Sequence, residues 1–122
     1  MYGMSEPRSY TGGCQCGRVR YQAQIDLEQP VLSCNCSMCG RAGTLLTFVP
    51  ARQFTLVAGE EDLTDYQFNA KHIHHLFCKV CGIKSFARGA GKDGPVVAVN
   101  ARCLDEVDPT ALKIVPHDGK SA

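Results

Sequence analysis

Seven of the eight cysteines in this 122-residue chain fall into three tight groups, and no other feature limits its fold as strongly. Cys14 and Cys16 form a C-x-C. Cys34, Cys36 and Cys39 lie within Ser33-Cys34-Asn35-Cys36-Ser37-Met38-Cys39-Gly40, and Cys78 and Cys81 open a C-x-x-C-G. These are metal-ligand spacings. A disulfide framework is the alternative, but it belongs to small secreted chains, and the two thiols of a C-x-C bridge each other only with strain. Residues 1 to 10, MYGMSEPRSY, contain no apolar segment of the kind a secretory signal needs. The expectation is therefore a cytoplasmic chain whose reduced thiols hold metal.

Ligand arithmetic then divides the cysteines. Cys14, Cys16, Cys78 and Cys81 complete one four-sulfur site, closed and structural, that staples a long loop. Cys34, Cys36 and Cys39 remain. Three thiolates on zinc leave one coordination position open, the arrangement of a catalytic site. The residues alone leave a second closed site equally open, with Cys103 or one of His72, His74 and His75 as the fourth ligand. His74 and His75 face opposite ways in a strand, so at most one could serve. Otherwise Cys103 reads as a small buried apolar residue. Gly12, Gly13 and Gly17 around the C-x-C are expected to allow the positive φ its turn demands, and Gly40 and Gly82 to let the chain reverse behind each knuckle. A three-thiolate zinc carries a net charge of minus one. It is a weaker Lewis acid than a three-imidazole site and suits a soft ligand such as a substrate thiolate. Thioredoxin-like redox chemistry is disfavoured, because neither C-x-x-C leads into a helix of a βαβ unit.

The rest of the chain reads as short strands. Arg18 to Ile25 alternates, with Val19, Tyr21, Ala23 and Ile25 on one face and polar residues on the other. Val31 and Leu32 start a strand that delivers Cys34, making the central cluster a strand-end loop. Further strands are expected at 44–49, 54–57, 63–68, 72–77, 83–88, 95–100 and 112–115, bounded by turn residues. Asn69-Ala70-Lys71 is one such turn, and residues 89–94, rich in Gly, are a hairpin connection with no helix signal behind them. Asp105 to Pro109 could open one short helical turn. The sum is an all-β fold of twisted antiparallel sheets with little helix: a loose arm over residues 1–10 and a single zinc-stapled domain over 11–122. A net charge of +1 and no basic run offer no reason to invoke nucleic acid or membrane. Nothing in the pattern assigns an oligomeric state. The arginines are scattered, though Arg102 beside Asn100 could reach an acidic substrate.

In order along the chain, G-G-C-Q-C-G-x-V-R-Y, S-C-N-C-S-M-C-G, H-L-F-C-K-V-C-G-I-K-S-F, V-N-A-R-C-L-D and P-H-D-G-K resemble the glutathione-dependent formaldehyde-activating (GFA) family, which also includes centromere protein V. The resemblance runs from about Thr11 to Lys120. It implies a zinc-stapled fold of twisted antiparallel sheets, a β-tent, and two zinc ions per chain. Cys14, Cys16, Cys78 and Cys81 would hold the structural ion, and Cys34, Cys36 and Cys39 the catalytic-type ion. It also implies a carbon-sulfur lyase that condenses glutathione, or a similar thiol, with formaldehyde or another small aldehyde, and runs the reverse. The rival expectation is a non-catalytic two-zinc module that binds a protein partner.

Overall fold

The computed structural model describes residues 6–67 and 73–119. Ten strands and one α-helix occur among them: β1 (Arg8–Gly13), β2 (Arg20–Ile25), β3 (Val31–Cys34), α1 (Ser37–Ala42), β4 (Leu46–Pro50), β5 (Phe54–Ala58), β6 (Leu63–Tyr66), β7 (His74–Cys78), β8 (Phe86–Gly91), β9 (Gly94–Asn100) and β10 (Ile114–His117). They form a three-stranded sheet, β1-β2-β5, and a seven-stranded sheet, β10-β3-β4-β9-β8-β7-β6. The fold is all-β, as the alternation of short apolar segments implied. No helix among the described residues is long and apolar enough to cross a membrane.

The alternation in β2 decides how the sheets meet. Tyr21, Ala23 and Ile25 are each 1% exposed while Gln22 and Gln24 face solvent. Their apolar face packs on Val49, Val97, Val99 and Phe86 of the large sheet. At the centre Tyr21, Phe54 and Phe86 make a ring cluster with centroids 4.7 to 5.8 Å apart, the tilted and edge-on geometry that aromatic quadrupoles favour. The Tyr21 hydroxyl donates to the Ser85 carbonyl at 3.3 Å, so its polar end is satisfied inside the core.

The second face of the large sheet is built differently. Side chains alternate across a strand, so Ala98, between Val97 and Val99, points away from the main core. Ala98 pairs with Ala87 of β8, and these small residues with Leu46 leave room for Cys39 of α1 to pack on the sheet. The large sheet thus has its core on one side and a thiol cluster on the other.

Several expectations need correction. Arg8, Ser9 and Tyr10 are not part of a loose arm, since they pair with Ile25, Gln24 and Ala23 as the first half of β1. The sheets are not wholly antiparallel: β10 runs parallel to β3, in register from Ile114↔Val31 to His117↔Cys34. The central cysteine segment is not a plain loop, because α1 begins within it. The Asn69-Ala70-Lys71 turn and His72 lie outside the described residues, although β6 and β7 pair antiparallel as expected.

Gly13 is required for a reason other than the one its neighbourhood suggested. Gly17 has φ +86, but Gly13 does not adopt a positive φ; a Cβ there would fall 2.0 Å from the Val19 carbonyl oxygen. It is a close backbone approach, where Ala must displace the chain. Gly13→Ala is expected to cost about 3 kcal/mol, and Gly17→Ala, with open space around it, about 1 kcal/mol. Denaturant melts of the two variants would check this, and the reverse order would refute it.

Candidate metal centres

The first centre joins two tight turns. Between β1 and β2 the chain folds back on itself, with Cys14 N–H on the Val19 carbonyl at 3.1 Å and Gly17 N–H on the Cys14 carbonyl at 3.3 Å. Between β7 and β8, Gly82 N–H donates to the Cys78 carbonyl at 2.8 Å, and Gly82 takes φ +80 so that the chain reverses there, as expected. These turns bring Cys14, Cys16, Cys78 and Cys81 together, with all four sulfurs within 4.8 Å of one another. The Cys14–Cys16 and Cys16–Cys78 separations are 3.6 and 3.7 Å. A tetrahedral zinc with Zn–S of 2.3 Å places its sulfurs about 3.8 Å apart, so the donors fit such an ion. A disulfide would need about 2.05 Å, and all eight cysteines are free thiols.

Backbone N–H groups aim at these sulfurs, Val19 at Cys14 (3.3 Å) and Val80 at Cys78 (3.4 Å); at Cys14 burial raises the thiol, and the Val19 N–H with the neighbouring thiols more than offsets it and lowers its pKa. For Cys81, burial pushes the thiol up, but the Ile83 and Cys16 backbone and the neighbouring thiols outweigh it and bring it down to about 6.

The second centre lies on the opposite face of the large sheet. Cys34 ends β3, Cys36 caps α1, and Cys39 sits in its first turn. The three sulfurs lie within 4.8 Å of one another. The helix forms locally because the Cys36 sulfur accepts the Cys39 N–H at 3.3 Å, the position Ser or Asp takes at most helix starts. It ends at Gly43, φ 70, whose N–H returns to the Cys39 carbonyl at 2.9 Å. The reversal expected at Gly40 therefore happens three residues later, and Gly40 is an ordinary helical residue.

Burial pushes the Cys39 thiol up to about 11, against the pull of Thr44. The Thr44 hydroxyl is buried with no hydrogen-bond partner among the described residues, so an anionic sulfur beside it is the acceptor it lacks. Cys36 moves the other way. Burial raises it, and the N–H groups of Cys39 and Met38 more than offset that. The donor set and this orphaned hydroxyl fit a metal held by three thiolates.

β10 lies alongside this centre. Asn35 N–H donates to the His117 carbonyl at 3.1 Å, and Asn35 Nδ2 donates to Asp118 Oδ1 at 3.0 Å. A Cβ on Gly119 would come 2.5 Å from the Cys34 sulfur, so only Gly brings the backbone this close. Two clefts of about 500 Å³ each reach the end of α1. One runs along the helix between Met38, Arg41 and Tyr66; the other holds Lys84, Asn100 and Arg102.

The fourth-ligand candidates do not converge on these thiols. Cys103 faces the Lys84 carbonyl at 4.0 Å, and burial raises its thiol to about 11. His74 Nδ1 lies 2.6 Å from Asp65 Oδ2 on the exposed surface. His75 is buried in β7 opposite Ala87 of β8, where desolvation and Lys84 lower its pKa. Among the described residues no further His, Cys, Asp or Glu joins the three sulfurs. Arg102, considered for an acidic substrate, donates through Nε to the Gly43 carbonyl at 3.0 Å and so closes the helix end. Lys84, Thr44 and Gly119 are the neighbours that sequence reasoning missed. The signal available was their position: Lys84 and Gly119 sit inside two of the matched motifs.

Comparison with known proteins agrees with these features. The family model described as glutathione-dependent formaldehyde-activating enzyme matches residues 9–117. A crystal structure of a Rhodobacter sphaeroides protein superposes with a TM-score of 0.77 at 30% sequence identity, covering 87% of this chain and 97% of that one. The match spans both thiol clusters and nearly every strand that carries them, and on that extent the chain belongs to the glutathione-dependent formaldehyde-activating enzyme family.

Proposed function

We propose that the protein is a zinc-dependent carbon-sulfur lyase that condenses glutathione, or a similar thiol, with formaldehyde or another small aldehyde, and catalyses the reverse. The observation that carries this reading is the convergence of Cys34, Cys36 and Cys39 without a fourth such side chain among the described residues. Cys14, Cys16, Cys78 and Cys81 would hold a structural ion, and Cys34, Cys36 and Cys39 a catalytic-type ion. When bound there, zinc would supply the Lewis acidity that favours the thiolate form of an incoming thiol.

The chain's own residues supply the rest. Cys36 and Cys39 are held by the first turn of α1 and Cys34 by β3, so the three sulfurs keep a fixed spacing. The cleft along α1, lined by Ser37, Met38, Arg41, Ala42 and Tyr66, gives substrate room on the helix that carries Cys39, and holding two reactants together is the positioning a bimolecular addition needs. In the forward direction a sulfur–carbon bond forms, the carbonyl π bond breaks, and the proton of the thiol ends on the aldehyde oxygen. We place this chemistry in the cytoplasm, where thiols are kept reduced.

NMR of glutathione mixed with labelled formaldehyde tests the proposal. The zinc-loaded protein is expected to accelerate formation and breakdown of S-(hydroxymethyl)glutathione over the uncatalysed rate, and chelation should remove the acceleration. Adduct formation at the uncatalysed rate would leave the two-zinc protein-binding module as the better reading.

A further inference from the structure

We propose that the cleft along α1 is a carboxylate subsite of the three-cysteine centre, with Arg41 as the residue that receives the acid group of an incoming thiol. This rests on the reading that the centre is open to a thiol, and it narrows that thiol to one carrying a carboxylate.

The large sheet sets the cleft beside the centre. Cys39 packs on Ala87 and Ala98. Ala98 stands opposite Ala87, Ala87 opposite His75, and His75 opposite Tyr66 in successive antiparallel pairs. Residues directly opposed across such a ladder share a face, so one row of side chains runs from beneath Cys39 out to Tyr66 on the edge strand β6. Neighbouring strands lie about 4.8 Å apart, which puts Tyr66 about 10 Å from Ala87. Helix α1 stands at one end of the row and Tyr66, half-exposed, at the other. The cleft of about 500 Å³ lies between them, lined by Ser37, Met38, Arg41, Ala42 and Tyr66.

The helix holds the arginine in place. Arg41 lies in the last turn of α1, and its guanidinium folds back along the helix so that Nη1 donates to the Ser37 carbonyl at 3.2 Å. Ser37 directly follows Cys36, so the cation is drawn toward the helix end that the Cys36 sulfur caps. A guanidinium has five N–H donors, and the Ser37 carbonyl is the one acceptor it meets among the described residues. The donors left over form the planar fork that matches a carboxylate. No carboxylate lines the cleft among the described residues. Asp65, next to Tyr66, points to the other face of β6, where it meets His74.

The dimensions agree with a thiol of modest size. Five helical residues from Cys36 to Arg41 rise about 7.5 Å, and one residue of extended peptide spans about 3.5 Å. A cysteine-containing peptide with an acid group one residue from its sulfur covers that gap. A simple thiol without an acid group gains nothing from the cleft.

The test uses the full chain loaded with cobalt(II), with glutathione and its diethyl ester as probes and the thiol-dependent change in metal absorption as readout. The two probes share backbone and sulfur and differ in their carboxylates. Arg41→Gln is expected to weaken glutathione binding about tenfold while changing binding of the diester less than about twofold, and Arg41→Lys to weaken glutathione about threefold. Arg41→Met provides a second neutral variant, and an unchanged four-sulfur absorption certifies the fold. Unchanged glutathione affinity in both neutral variants would overturn the subsite while leaving the open centre standing. So would an equal loss for glutathione and the diester, which is the signature of an arginine acting only through the helix. A wild-type spectrum indifferent to both probes would remove the open centre, and the subsite with it.

Discussion

Replacing Cys78 by Ser is expected to abolish the folded state, not merely to weaken it. Cys78 is 0% exposed and belongs at once to the four-sulfur cluster and to the main core. With its partners it ties the β1–β2 turn to the β7–β8 turn, across 62 residues between Cys16 and Cys78. A structural zinc contributes about 10–16 kcal/mol of apparent binding energy at neutral pH, whereas a whole domain is stable by about 5–15 kcal/mol. Losing one ligand therefore removes a quantity comparable to the entire margin. Serine also leaves a buried hydroxyl in a place shaped for sulfur. Near-UV circular dichroism and a thermal melt would read the outcome, and chelation of the wild-type protein should reproduce it. A Cys78→Ser variant that still melts cooperatively, within about 5 °C of wild type, would mean that the ring cluster of Tyr21, Phe54 and Phe86 supports the fold alone.

Cys39→Ser should behave in the opposite way, losing turnover while keeping the structure. Cys39 packs on Leu46, Ala87 and Ala98, across the large sheet from the main core, so its loss leaves the four-sulfur staple untouched. The helix survives too, since the bond that caps it runs from the Cys39 backbone N–H to the Cys36 sulfur. What changes is the donor. A hydroxyl is a poor ligand for zinc beside two thiolates, and loss of a ligand costs more than the roughly 10–100-fold associated with its hydrogen-bonded supports. Thiol–aldehyde turnover is expected to fall by at least about 100-fold, with the melting temperature lowered by only a few degrees. The pair of measurements is diagnostic. Turnover unchanged would remove the catalytic role from this cluster, and an unfolded Cys39→Ser would mean that both clusters are structural.

Much of this was legible before any coordinates, and the reason is that the informative signals were local. The period-two pattern of Val19, Tyr21, Ala23 and Ile25 identifies a half-buried strand because side chains of a strand alternate faces whatever the strand pairs with. The cysteine spacings point to metal because tetrahedral thiolate coordination needs two sulfurs from one tight turn, and the structure brings the same seven cysteines into the same two groups. The grouping of Cys14 and Cys16 with Cys78 and Cys81 followed from counting donors. Less was legible where a local sequence admits two conformations. Six residues from Ser37 to Ala42 are too few to show helical periodicity, and the helix depends on a cysteine serving as its cap.

What only the tertiary structure decided are the relations between segments distant in sequence. The polar residues of β1 gave no sign of a strand, and they form one because β2 offers an edge. The approach of Gly119 to Cys34 exists because β10 returns beside β3 in parallel, a pairing no local pattern encodes. Asn100 joins three stretches of chain, holding the Lys84 carbonyl and the N–H groups of Leu45 and Arg102. The type and spacing of donors determine which metal chemistry a chain can support. Which charges and backbone groups surround those donors is set by how sheets fold onto one another, and that is a property of long-range packing, with no trace in the order of neighbouring residues.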